Sequence, residues 1–129
     1  MGMTKNENSA LRILLVDDNR DISDMLSQYL KIKGHDCLVA NGGRVGLNLI
    51  LQEKFDIIVL DLAMPEFSGY DVIKTLQKQN VINNYKILVL TASSITDPEI
   101  EQLTNGGVRA CLKKPVQLKE LMQVISSIR

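Results

Sequence analysis

The sequence predicts an α/β fold in which a doubly wound sheet of parallel strands carries helices on both faces. Three observations predict it. Short apolar runs rich in β-branched residues recur at Ile13-Leu14-Leu15-Val16, Ile57-Ile58-Val59-Leu60 and Ile87-Leu88-Val89-Leu90. Each has the length and content of a strand buried on both faces. Between them lie segments whose apolar residues repeat at helical spacing. The connections are short and rich in Gly, Asn, Asp and Pro, so strands and helices alternate one by one.

Residues 1–10 are polar and aperiodic and are expected to form a disordered tail; residues 11–129 form the domain. The start Met1-Gly2-Met3 reads as a junction ahead of a native Met3. Met1-Gly2 does not carry myristoylation chemistry, because Asn6 stands where that pattern wants Ser or Thr. After the first run, a helix is expected from about Arg20 to Lys33, burying Ile22, Met25, Leu26, Tyr29 and Leu30, with Gly34 as its stop. A second strand follows over about Asp36 to Ala40 and a second helix over about Val45 to Gln52. The third helix starts after Gly69 and buries Val72, Ile73 and Leu76. Pro98 opens the fourth, since proline fits a first helical turn, and Asn105-Gly106-Gly107 closes it. Ala110-Cys111-Leu112 is the fifth strand, and the last helix buries Leu118, Leu121, Met122, Ile125 and Ile128.

With 129 residues the chain has the size of one domain, large enough for a sizeable core. Hydrophobic residues make up 45% of it and mean hydropathy is +0.02. No apolar stretch approaches the roughly 20 residues of a membrane helix. Lys plus Arg and Asp plus Glu balance at 15 each, so no basic face marks nucleic-acid binding.

The chemistry sits where strands stop. Asp17 and Asp18 end the first apolar run and Asp61 ends the third strand. In an open parallel sheet, ligands collect at the carboxyl ends of the strands. Three clustered carboxylates repel one another unless a hard cation shares them, and Mg²⁺, with phosphate nearby, is the simplest occupant. Thr91 ends the fourth strand, and Lys113-Lys114-Pro115 ends the fifth. An acid pair, a lone acid, a hydroxyl and a lysine thus share one rim. Capping is the bland reading of Asp17-Asp18, but Asn19 can cap the helix alone. A carboxylate such as Asp61 can take up phosphorus as an acyl phosphate.

Val16-Asp17-Asp18, Asp61 with Met64-Pro65 and Gly69, Thr91-Ala92, and Lys114-Pro115 together resemble the receiver domain of two-component response regulators, the CheY-like family. The resemblance covers roughly residues 11–128. It implies a flavodoxin-like (βα)₅ fold with three layers and a five-stranded sheet in the order 2-1-3-4-5. By resemblance, Asp61 is the phosphoacceptor and Asp18 a direct Mg²⁺ ligand. Asp17 holds metal-bound water, and the Ala63 backbone carbonyl completes the metal's protein ligands. Lys114 and Thr91 attend the phosphoryl group, and the Lys114-Pro115 bond is cis. The phosphodonor is a phosphohistidine on a sensor histidine kinase or phosphotransfer protein. A downstream protein would then read the helix 4–strand 5–helix 5 face. The chain is thus expected to be a cytoplasmic phosphoacceptor rather than an enzyme, with no nucleic-acid or membrane contact of its own.

The rivals lack their marks. A haloacid-dehalogenase phosphatase needs a second Asp where Ala63 stands, and a flavodoxin needs a Ser/Thr/Gly-rich loop where Asp17-Asp18-Asn19-Arg20-Asp21 stands. A pseudo-receiver, binding partners without phosphorylation, would lack an acid, the threonine or the lysine. Departures from the family are Cys111 in place of an aromatic switch residue, Val116 in place of Phe, and small Ala63 and Ser93. The expected strand order puts Cys37 and Cys111 four spacings of about 4.8 Å apart, beyond the Cα reach of about 7 Å that a disulfide needs. Gly42-Gly43 and Gly46 read as a loop and helix start, and His35 reads as a surface residue.

Overall fold

The strands β1 (Arg12–Val16), β2 (Asp36–Ala40), β3 (Ile57–Asp61), β4 (Ile87–Thr91) and β5 (Ala110–Lys113) form one sheet in the computed structural model, which describes residues 9–129. Every pairing is parallel and the order is β2-β1-β3-β4-β5, as the sequence implied. The register sets Val16 beside Leu60 and Asp61 beside Leu90, so the central strands end nearly level. Their terminal carboxylates and hydroxyl are thereby delivered to one rim. The order also places Cys37 and Cys111 on opposite edges, and both thiols are free.

Alternation along each strand sends side chains to two different cores. Leu14, Val16, Ile58, Leu60, Ile87 and Val89 face α2 (Gly43–Gln52), α3 (Gly69–Lys78) and α4 (Asp97–Asn105). Ile13, Leu15, Ile57, Val59, Leu88 and Leu90 face α1 (Arg20–Ile32) and α5 (Leu118–Ile128). All twelve are at most 1% exposed, which is why these runs carry no polar residue until the rim. A 3₁₀ turn at Ile82–Asn84, not foreseen from sequence, carries Ile82 into the first of these cores.

Several expectations need correction. Met25 is 48% exposed, whereas Ser23 and Ser27 are buried, so α1 is rotated from the face its apolar stripe suggests. In α5, Leu118, Met122 and Ile128 are only partly buried, packing beside the buried Leu121 and Ile125. α2 begins two residues earlier than expected, at Gly43, where only a glycine fits because a side chain would strike the Phe67 carbonyl. His35 is not a surface residue. It is 8% exposed, and its Nδ1 accepts the Leu11 N–H at 3.0 Å. Burial, aided by the Arg129 guanidinium, holds its pKa below the usual value of 6.5. The expected tail lies outside the described residues up to position 8.

Candidate functional site

The β1 ladder runs one residue past its strand, with the Asp17 N–H donating to Ala40 O at 3.0 Å. That bond anchors Asp17, whose Oδ1 accepts the Asn19 N–H at 2.9 Å. Asn19 itself caps α1 by accepting the Ile22 N–H at 3.1 Å. The cap therefore does not use the two acids, which leaves them for other work. Asp17 is fully buried and Asp18 exposed. Asn41, at the end of β2, donates to Asp17 O at 2.8 Å and to Ser23 Oγ at 3.2 Å. This tie fixes the loop and pulls α1 in on its serine side, a role the sequence did not reveal.

Asp61 closes β3 with only 2% exposure. Its Oδ1 accepts the Ala63 N–H at 3.1 Å and meets Lys114 Nζ at 3.0 Å. Lys114, not Lys113, is thus the lysine that faces the acids. It follows β5, its N–H donates to Thr91 O at 2.8 Å, and its bond to Pro115 is cis. Gly69 supports the acid from behind. A Cβ there would lie 2.4 Å from Asp61 O and 2.7 Å from Leu62 Cα, so α3 can start this close only on a glycine. Thr91 is 2% exposed, and its hydroxyl donates to Leu112 O across 3.4 Å, longer than an ordinary O–H···O bond.

Asp17, Asp18 and Asp61 each present an oxygen within 4.8 Å of the others. Burial pushes the Asp17 carboxyl up to about 6, reinforced by the adjacent Asp61 carboxylate and opposed by the Asn19 N–H and Lys114. Asp17 Oδ2 is buried and has no hydrogen-bond partner. A buried orphan oxygen inside an all-oxygen donor set is the mark of a site that suits a hard divalent cation. The residues present therefore fit Mg²⁺. The sequence-derived candidates Asp17, Asp18, Asp61 and Lys114 come together here. Ala63 is joined to Asp61 through its N–H, and Thr91 stands on the same rim with its hydroxyl turned toward β5.

Comparison with known proteins agrees with this geometry. Residues 13–126 match the family model described as the response regulator receiver domain. The chain is 33% identical over 116 residues to the response regulator SaeR of Staphylococcus aureus, covering 90% of this chain and 49% of that protein. It spans about half the length of the curated relatives it matches. Among solved structures, the Francisella response regulator 1452 receiver domain superposes with a TM-score of 0.82 at 31% identity, covering 92% of this chain and 95% of that one. The response regulator protein TrrA of Thermotoga maritima, solved in complex with Mg²⁺-BeF, gives 0.76 at 26% identity, covering 92% and 98%. Among the described residues, no helix is long and apolar enough to cross a membrane.

Proposed function

The chain belongs to the response regulator receiver domain family, and from that premise we propose that it accepts a phosphoryl group on Asp61. The donor is the phosphohistidine of a sensor histidine kinase or a histidine phosphotransfer protein. A carboxylate oxygen of Asp61 attacks phosphorus in line, the phosphorus–nitrogen bond of the donor breaks, and the electron pair returns to the imidazole. The observation that carries this reading is the buried Asp61 carboxylate held 3.0 Å from Lys114 Nζ beside a second buried acid with an orphan oxygen.

Each residue has a distinct part. Lys114 holds Asp61 in place and meets negative charge as it builds on the phosphoryl oxygens. Thr91 turns its hydroxyl from Leu112 O to a phosphoryl oxygen. Asp18, Asp61 and the Ala63 carbonyl would hold Mg²⁺, with Asp17 on its bound water, and the ion would supply neutralisation of charge on the phosphoryl group. The small Ala63 and Ser93 leave the acyl phosphate open to water, so the domain assists its own dephosphorylation as well as its phosphorylation. This makes it a phosphoacceptor in the cytoplasm and not a conventional enzyme. Its changed state is passed to a downstream protein through the α4–β5–α5 face. No observation favours the pseudo-receiver alternative, since acids, threonine and lysine are all present.

The test uses acetyl phosphate and Mg²⁺ with intact-mass measurement. One added phosphoryl group is expected on the wild type and none on Asp61→Asn. Labelling of that variant to the wild-type level would place the nucleophile elsewhere and overturn the reading.

A further inference from the structure

Tyr70 sits in the first turn of α3, one residue after the glycine that packs against Asp61, and is 42% exposed. A large aromatic left that open is poised to gain from burial. Empty space lies on both sides of it. A cavity of about 200 Å³ runs from Tyr70 to Thr91, Ala92 and Ile95. A second, of about 270 Å³, runs between α3 and α4 past Ile73 and Leu103. Tyr70 and Glu99 line both. Both are clefts open to solvent, so the ring can enter either one without displacing packed side chains.

Cys111 belongs to the same region. It is half-buried on β5 and packs on the core layer that also receives Ile95. Burial, the Glu99 carboxylate and the Cys111 thiol together push the Tyr70 phenol up, so the ring lies within electrostatic reach of both. The family's aromatic position on β5 is occupied here by a small side chain, and an aromatic on α3 lies within electrostatic reach of it. Thr91 borders the smaller cavity, and its long bond to Leu112 O is cheap to give up.

We propose that Tyr70 is the aromatic gate of this receiver: when Asp61 is phosphorylated and Thr91 turns toward it, the Tyr70 ring moves from its exposed position into the cavity beside Thr91. α4 is thereby repositioned through Ile95 and Glu99. The inference rests on Asp61 being the phosphoacceptor. The ring makes different contacts in the two positions, and this difference is what lets phosphorylation bias the balance.

The experiment labels the chain with 3-fluorotyrosine, which gives signals from Tyr29, Tyr70 and Tyr85, the three tyrosines present. Tyr70→Phe assigns its resonance by deletion. On adding Mg²⁺ and beryllofluoride, the Tyr70 signal should lose most of its H₂O/D₂O solvent shift, while Tyr29 and Tyr85 keep theirs. In parallel, Tyr70→Ala should take up phosphoryl groups from acetyl phosphate at the wild-type rate. Its amide response over Asp97–Asn105 should shrink by about fivefold, and Tyr70→Phe should retain that response because the ring fills the space. Amide shifts at Asp61 and Thr91 with unaltered Tyr70 exposure, or a full α4 response in Tyr70→Ala, would overturn the gate alone. No amide shift at Asp61 in the wild type would overturn the phosphoacceptor reading and the gate with it.

Discussion

Asp17→Asn should make the metal-free protein more stable, although it removes a residue of the functional site. Asp17 is fully buried against Asp61, and its carboxyl is pushed from 3.8 up to about 6. At a pH near 7.5 it must be ionised in the fold against that environment. Each pKa unit is worth about 1.4 kcal/mol, so the gap sets a ceiling of about 3 kcal/mol. Asn keeps an oxygen for the Asn19 N–H and puts an amide donor where Oδ2 is orphaned. Allowing for side-chain relaxation, a gain of about 2 kcal/mol is expected. The sign with pH follows. The folded state holds a proton on Asp17 more tightly than the unfolded state, so the cost of ionising it, mainly from burial, is absent below about 3.8 and complete above about 6. The advantage of Asn should therefore fade as pH drops through that window. Urea unfolding in EDTA measures it directly. With Mg²⁺ at 100 times its dissociation constant, the wild type should recover about 2.7 kcal/mol, and the variant, with one acid fewer, should recover less. A variant that is less stable than wild type in EDTA at neutral pH would refute the argument that this acid is held at a cost.

Two further outcomes are expected. Gly69→Ala forces a Cβ to within 2.4 Å of the Asp61 carbonyl, so it should cost about 2 kcal/mol or more in urea unfolding and slow labelling of Asp61 by acetyl phosphate. Wild-type rates with wild-type stability would show that the loop yields freely. His35 accepts from Leu11 and resists protonation in the fold, so its contribution is complete above pH 6.5 and is lost as pH falls from there through its lower folded value. His35→Asn, whose side-chain oxygen can replace Nδ1, should flatten that loss when the two chains are compared by urea unfolding at successive pH values. Equal slopes would show that the bond does not depend on the protonation state of the ring.

The sheet was legible because its strands are extreme cases. A run buried on both faces must be apolar throughout, so its end is marked by the first polar residue, and here those residues are Asp17, Asp61 and Thr91. Lys114 was legible only through the family pattern, because nothing local separates it from Lys113. Where sequence reading failed, the missing information was tertiary. Met25 fits an apolar stripe, yet a hydrogen bond from Asn41 draws Ser23 inward and turns Met25 out. His35 finds its partner in a backbone N–H 24 residues away, which leaves no trace in composition. Gly42-Gly43 looks like loop sequence, yet the helix starts at Gly43, a glycine required by the nearby Phe67 carbonyl rather than by a turn. Tyr70 gave no signal at all, since its interest lies in the empty space around it.

Burial differs sharply between the part of the domain that holds the acids and the part that could move. β3 and β4 are buried at every position, and α1 and α3 each bury four residues. α4 buries only Leu103 among its nine residues, and β5 buries only Leu112 among four. Local opening draws on segments with few buried apolar contacts. A phosphoryl group on Asp61 can supply only the difference in its own contacts between two states, a few kcal/mol. That amount cannot repack β3, where each large side chain removed from its place would cost as much. It could shift α4, which buries only Leu103 and borders open clefts, so few packed contacts oppose its movement. The proposed chemistry would therefore sit on the stiff centre of the sheet, where geometry must hold, and the proposed response would fall to the edge beside Tyr70, where little has to be broken.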